Sequence, residues 1–106
     1  MITLLNTSIL TAFGKFEYKS ATLAEIKSLL ADTEFQSAIG HDAVAEILTN
    51  LINKPVVVNR IAYEQNIGDI AIVFKLKGRA PEGKIFNREE VEKIGYDFGI
   101  LTKISD

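Results

Sequence analysis

Apolar positions along the chain follow two different periods, and the alternation between them predicts the elements. Residues 2–5 are a short apolar run, the pattern of a buried strand, and Asn6-Thr7-Ser8 interrupts it with polar groups. Over residues 15–19, Phe16 and Tyr18 alternate with charged positions, which predicts a half-buried strand. Thr22-Leu23-Ala24-Glu25 is a capping box, in which hydroxyl and carboxylate each satisfy a backbone N–H at a helix start. It opens a helix with Leu23, Ile26, Leu29 and Leu30 on one side. Residues 32–38 are expected to form a connection with a helical turn. Val44, Ile47, Leu48, Leu51 and Ile52 recur at helical spacing and predict an apolar stripe. Asp42 is its expected N-cap, Gly40-His41 lies in the turn before it, and Pro55 stops it.

Residues 56–63 are rich in β-branched side chains and are expected to form a strand. Asn66-Ile67-Gly68-Asp69 is a turn, and residues 70–79 a long strand. That strand's even positions, Ile70, Ile72, Phe74 and Leu76, belong to the core. Its odd positions run from Ala71 and Val73 to Lys75, Lys77 and Arg79. Residues 87–94 read as a helix capped by Asn87 and ended by Gly95, and residues 96–104 as a closing strand. The order is β, β, α, α, β, β, α, β. It predicts an α+β fold in one domain, residues 1–106: a mixed sheet of about five strands with helices packed mainly on one face. The other face would carry Lys75, Lys77 and Arg79. Val58 would join them if strands 56–63 and 70–79 pair as a hairpin.

Composition narrows the chemistry. The 106 residues include no cysteine and one histidine, which excludes disulfide scaffolds, thiolate metal sites, cysteine nucleophiles and a multi-histidine metal site within one chain. No run approaches a membrane span, and the first residues lack the basic region of a signal peptide, so a cytoplasmic protein is expected. The net charge of −2 hides an asymmetry. Residues 54–88 hold seven basic and three acidic residues, a formal +4; the remainder holds five and eleven, a formal −6. A net-acidic chain with one basic zone fits a compact anion held in one place better than duplex DNA, which demands many phosphate contacts.

His41 is the one conspicuous catalytic type. A helix N-terminus offers free N–H groups and partial positive charge to a phosphate, and a histidine there can give a proton to its leaving oxygen. On residue type alone, a surface histidine that caps or packs has precedence. The same holds for Arg79-Ala80-Pro81-Glu82-Gly83-Lys84, whose plainer reading is a polar turn. Asn59-Arg60, a polar pair in an apolar stretch, is either an edge position or a ligand contact, and Asn6 carries the same ambiguity. Tyr18 and Tyr63 are expected to be half-buried sheet residues. No Gly-rich phosphate loop, nucleophilic serine setting or acidic cluster with metal-ligand spacing is present.

Three stretches together resemble a known family: Leu4-Leu5-Asn6, then Ala38-Ile39-Gly40-His41-Asp42 leading into Val44-Ala45-Glu46-Ile47-Leu48, and Asn59-Arg60 followed by Arg79-Ala80-Pro81-Glu82-Gly83-Lys84-Ile85. Their order and spacing are similar to the small ring nucleases of viruses and mobile elements, anti-CRISPR proteins directed against type III systems. The resemblance spans nearly the whole chain. It implies degradation of cyclic tetra-adenylate to linear oligoadenylates with 2′,3′-cyclic phosphate ends. It implies no metal and no cofactor, and a homodimer holding the ring at its interface. Carried over by position, His41 and Glu82 would be catalytic, Arg60, Arg79 and Lys84 would bind phosphate, and Asn6 would contact the ligand. The third stretch departs from the family in Ala80-Pro81, and Thr7-Ser8-Ile9 matches loosely. No membrane and no duplex DNA are expected as partners, and a viral member would work in the host cytoplasm. Two rival readings are a non-catalytic sponge for the same ring and a small nucleic-acid-binding regulatory dimer.

Overall fold

Residues 2–7, 10, 12–77 and 88–106 are described by a computed structural model. Among them the chain forms β1 (Ile2–Leu5), β2 (Lys15–Ala21), α1 (Leu23–Leu30), β3 (Phe35–Ser37), α2 (Asp42–Ile52), β4 (Ile70–Leu76), α3 (Arg88–Ile94) and β5 (Tyr96–Ser105). The strands make one mixed sheet in the order β2-β5-β4-β1-β3. β1 pairs in parallel with β3 (Leu4 opposite Ser37) and with β4 (Leu5 opposite Val73). β5 pairs antiparallel with β4 and with β2.

The expected α+β class holds, and the helices pack on one face. Ile26 and Leu30 of α1, Ile47, Leu48, Leu51 and Ile52 of α2, and Val91 of α3 form one buried cluster with Ile2, Leu4, Ile72, Phe74 and Phe98. The even positions of β4 thus face the core as the alternation predicts. Phe74, Tyr96 and Phe98 meet as tilted and edge-on rings with centroids 5.2 to 5.7 Å apart. The capping box at Thr22 and Glu25 is formed. Asn53 ends α2 in the left-handed conformation two residues before Pro55. Gly95, at φ +87, ends α3.

Two expectations fail together. Residues 32–38 are not a connection with a helical turn, since Phe35–Ser37 form the edge strand β3. Residues 56–63 form no strand, so no hairpin joins them to β4, and β4 lies between β1 and β5 instead. The physical reason is competition for one position. The edge beside β1 is filled by a three-residue strand too short to show a period. The β-branched stretch runs past its end as an irregular strap, and Val58 therefore joins no sheet face.

On the second face Leu5, Ala71, Val73 and Leu101 form a smaller buried cluster with Phe16, Ala38 and Tyr63 against it. Tyr63 reaches this face from the strap rather than from a strand. Its hydroxyl is buried without a hydrogen-bond partner among the described residues. Burial raises the phenol's pKa above its ordinary value, and Asp69 adds to the rise. Gln65, also buried, donates from its amide to the carbonyls of Asp69 and Leu101 and so ties the strap's far end to β5. Lys75 is exposed on β4, Lys77 just beyond it lies 3.8 Å from the Asp97 carboxylate, and Arg79 lies outside the described residues.

Candidate functional site

The three parallel strands β3, β1 and β4 present their carboxyl ends on one edge of the sheet. Asn6 follows β1 there, residues 38–41 follow β3, and β4 ends there at Leu76. The Ala38 N–H donates to the Leu4 carbonyl at 2.9 Å, so the two exits leave side by side. From β3 the chain crosses over β1 through α2 to reach β4. The carboxyl ends of these parallel strands, gathered on one edge, form the side on which open parallel sheets bind ligands.

His41 is the N-cap of α2, in extended conformation, and its carbonyl accepts from the Ala45 N–H at 3.1 Å. This corrects the expectation that Asp42 is the cap: Asp42 is the first helical residue, its carboxylate placed at the positive end of the helix. The His41 side chain is exposed and makes no capping bond. The imidazole is thus left for solvent or a ligand at the start of an eleven-residue helix.

Arg60 is brought to the same place by the strap. Its Nε donates to the Gly40 carbonyl at 3.0 Å, immediately before His41. A Cβ on Gly40 would stand 3.4 Å from the Arg60 Cγ, so the absent side chain lets the arginine stem lie close. The guanidinium remains exposed beyond that bond. Asn59 settles its ambiguity on the structural side: its backbone N–H donates to the Ile39 carbonyl and its amide to the Ser37 carbonyl, both at 2.8 Å. Ser37 was not singled out by sequence. A lone serine in a three-residue strand gives no periodic signal, although its hydroxyl joins β3 to the strap by donating to the Val57 carbonyl at 2.6 Å.

Of the six residues expected at the site, the structure brings His41 and Arg60 together and puts the half-buried Asn6 on the same edge. Arg79, Glu82 and Lys84 lie outside the described residues, between the end of β4 and the start of α3. Among the described residues no group of three or more His, Asp or Glu side chains is placed to hold a metal ion. A shallow depression lined by Asp32, Thr33, Glu34, Phe35, Lys54 and Pro55 lies at the opposite, amino-terminal end of β3. Its lysine is occupied: Lys54 donates to the Leu30 and Ala31 carbonyls at the end of α1.

A family model described as STIV B116-like matches residues 2–98. The chain belongs to the STIV B116-like family. Among its relatives, uncharacterized protein 26 of Sulfolobus islandicus filamentous virus (isolate Iceland/Hveragerdi) is 36% identical over 110 residues, covering 99% of this chain and 93% of that protein. Protein ORF117 of Acidianus two-tailed virus is 35% identical and covers 86% and 80%. YddF of Bacillus subtilis (strain 168) is 31% identical and covers 97% of each. This chain's relatives thus include viral proteins and a bacterial one. B116 of Sulfolobus turreted icosahedral virus has a similar structure, with a TM-score of 0.81 at 20% identity over 95% of this chain and 97% of that one. At that identity the likeness shows the fold, and it is the mixed five-strand sheet with three helices described above. All six expected site residues fall within the stretch matched to the STIV B116-like family. Among the described residues no helix is long and apolar enough to cross a membrane.

Proposed function

We propose that this STIV B116-like protein is a metal-independent ring nuclease. It opens cyclic tetra-adenylate to linear oligoadenylates with 2′,3′-cyclic phosphate ends, and thereby counters type III CRISPR immunity in the cytoplasm of the cell it occupies. The observation that carries this reading is the pairing at one sheet edge of an uncommitted N-cap histidine with an arginine bonded to the preceding glycine. RNA supplies its own nucleophile. The 2′-hydroxyl attacks the adjacent phosphorus, the bond from phosphorus to the 5′ oxygen breaks, and the leaving oxygen needs a proton. His41 donates that proton, and Glu82 is of a type that takes the proton from the attacking hydroxyl. Arg60, Arg79 and Lys84 offset the charge that builds on the phosphate oxygens, and Asn6 contacts the ligand.

A two-fold homodimer suits this chemistry. Each chain has one histidine, and a ring with two-fold symmetry would meet two copies of His41 across one cavity. The test is incubation of the pure protein with cyclic tetra-adenylate in excess EDTA, followed by chromatography of the products. Linear products with cyclic phosphate ends are expected. A ring bound tightly and recovered intact would replace catalysis by sequestration. A ring neither bound nor cut would overturn the reading, and activity lost to EDTA and restored by a divalent ion would overturn its metal independence.

A further inference from the structure

Asn59 takes no part in the chemistry proposed above, yet its backbone and its side chain are both bonded at the end of β3. Its N–H donates to the Ile39 carbonyl and its Nδ2 to the Ser37 carbonyl. The buried Ser37 completes the junction: its hydroxyl donates to the Val57 carbonyl and accepts from the Ile39 N–H at 3.2 Å. Three hydrogen bonds thus fasten an irregular strap to the end of an edge strand without a ladder, and the bond from the Ile39 N–H to Ser37 braces that end. The residue that follows this junction is Arg60, and the residue that follows Ile39 is Gly40, whose carbonyl Arg60 meets. A guanidinium on a long, flexible stem is thereby anchored at its root and at its Nε, one residue from His41.

We propose that Asn59 is a positioning residue. Its side-chain amide, by gripping Ser37, fixes where Arg60 stands against Gly40, and through Arg60 it sets the affinity for the phosphate held beside His41. This rests on the reading that Arg60 meets a phosphate of the ring. A residue acting through Arg60 has nothing left to act on once Arg60 is gone, whereas a residue that only supports the fold acts in either background.

The experiment is a double-mutant cycle on the full chain with cyclic tetra-adenylate as ligand. Asn59→Ala keeps the backbone bond to Ile39 and loses the amide. It is expected to weaken ring binding about 5-fold, the scale of one lost hydrogen bond, with KM raised and kcat nearly unchanged. In an Arg60→Ala background the same change is expected to move affinity by less than about 2-fold. Equal losses in both backgrounds would overturn the proposal. A second readout needs no ligand: the Gly40 and His41 amide resonances of Asn59→Ala should move in the direction seen in Arg60→Ala, and unmoved resonances would overturn the positioning role. If the wild-type protein neither binds nor cuts the ring, the nuclease reading falls while these resonances still decide the positioning. Should Asn59→Ala fail to fold, the isosteric Asn59→Asp lacks the same donor and is read by the same resonances.

Discussion

The two halves of the sheet are built differently. On one side β3, β1 and β4 run parallel, pair over only three or four residues, and end beside Asn6 and His41. On the other, β5 and β2 form long antiparallel ladders, with Tyr18 half-exposed and its ring lying over Gly99. A Cβ on Gly99 would fall 2.4 Å from that ring, so the glycine makes the room the tyrosine covers. Parallel strands direct their carboxyl ends and the loops that follow to one edge, where side chains from distant parts of the sequence converge. Antiparallel ladders send successive ends to opposite edges and serve better as a frame. In this protein the candidate chemistry sits on the converging half and the longer ladders on the other.

Substitutions in each half test that division. The largest effect is expected at His41. His41→Ala should slow ring cleavage about 10²- to 10⁴-fold in a single-turnover assay, the range for a positioned proton donor, with ring binding and melting temperature little changed. Cleavage at the wild-type rate would leave the parallel edge without its proposed acid. Next is the core that both halves share. Phe74→Ala should cost about 3–5 kcal/mol in denaturant unfolding, because a ring packed against Tyr96 and Phe98 leaves a cavity. Arg60→Ala should weaken ring binding by about 1.5–3 kcal/mol in a titration while stability moves little, since a charged hydrogen bond is lost at an exposed side chain.

The smaller effects fall outside the proposed chemistry. Tyr18→Ala should lower stability by about 1 kcal/mol through the lost cover of Gly99, with cleavage unaffected. A change in kcat would break the division between frame and site. Tyr63→Phe should leave neutral-pH stability within about 1 kcal/mol of wild type, because the hydroxyl it removes makes no hydrogen bond among the described residues. The folded chain holds the Tyr63 proton more tightly than the unfolded chain does. That contribution is complete below the ordinary tyrosine range and is lost as pH rises through the raised pKa. Unfolding followed above about pH 10 should therefore show a shallower alkaline decline for Tyr63→Phe than for wild type.

What was legible in the sequence follows the same division. Phe16 and Tyr18 alternate on β2, Ile70 to Leu76 alternate on β4, and the stripe from Val44 to Ile52 has a helix's period, so these elements were predicted with their faces. β3 leaves no signal in the sequence because three residues, Phe35, Gln36 and Ser37, define no period. The stretch from Val56 predicts a strand because Val, Ile and Tyr favour extended backbone. That backbone does not run in a ladder, however, and its carbonyls and N–H groups are met partly by the side chains of Thr49 and Ser37. His41 was legible as a residue beside a helix start, while its being the cap itself depended on one residue of phase. The contact of Arg60 with Gly40 joins positions twenty apart and left no local signal.

The order of the strands also bears on how the chain reaches this fold. β1 makes no pair with its neighbour in sequence, β2; its partners are β3 and β4, the latter with Ile2 opposite Ile70. The most buried strand therefore stays without a ladder until segments far along the chain arrive, and closing so long a loop comes before any contact rewards it. Folding is expected to be slow for a chain of this length, with the apolar Ile2-Thr3-Leu4-Leu5 edge exposed in the interval. During that interval a neighbouring chain can compete for the same backbone groups.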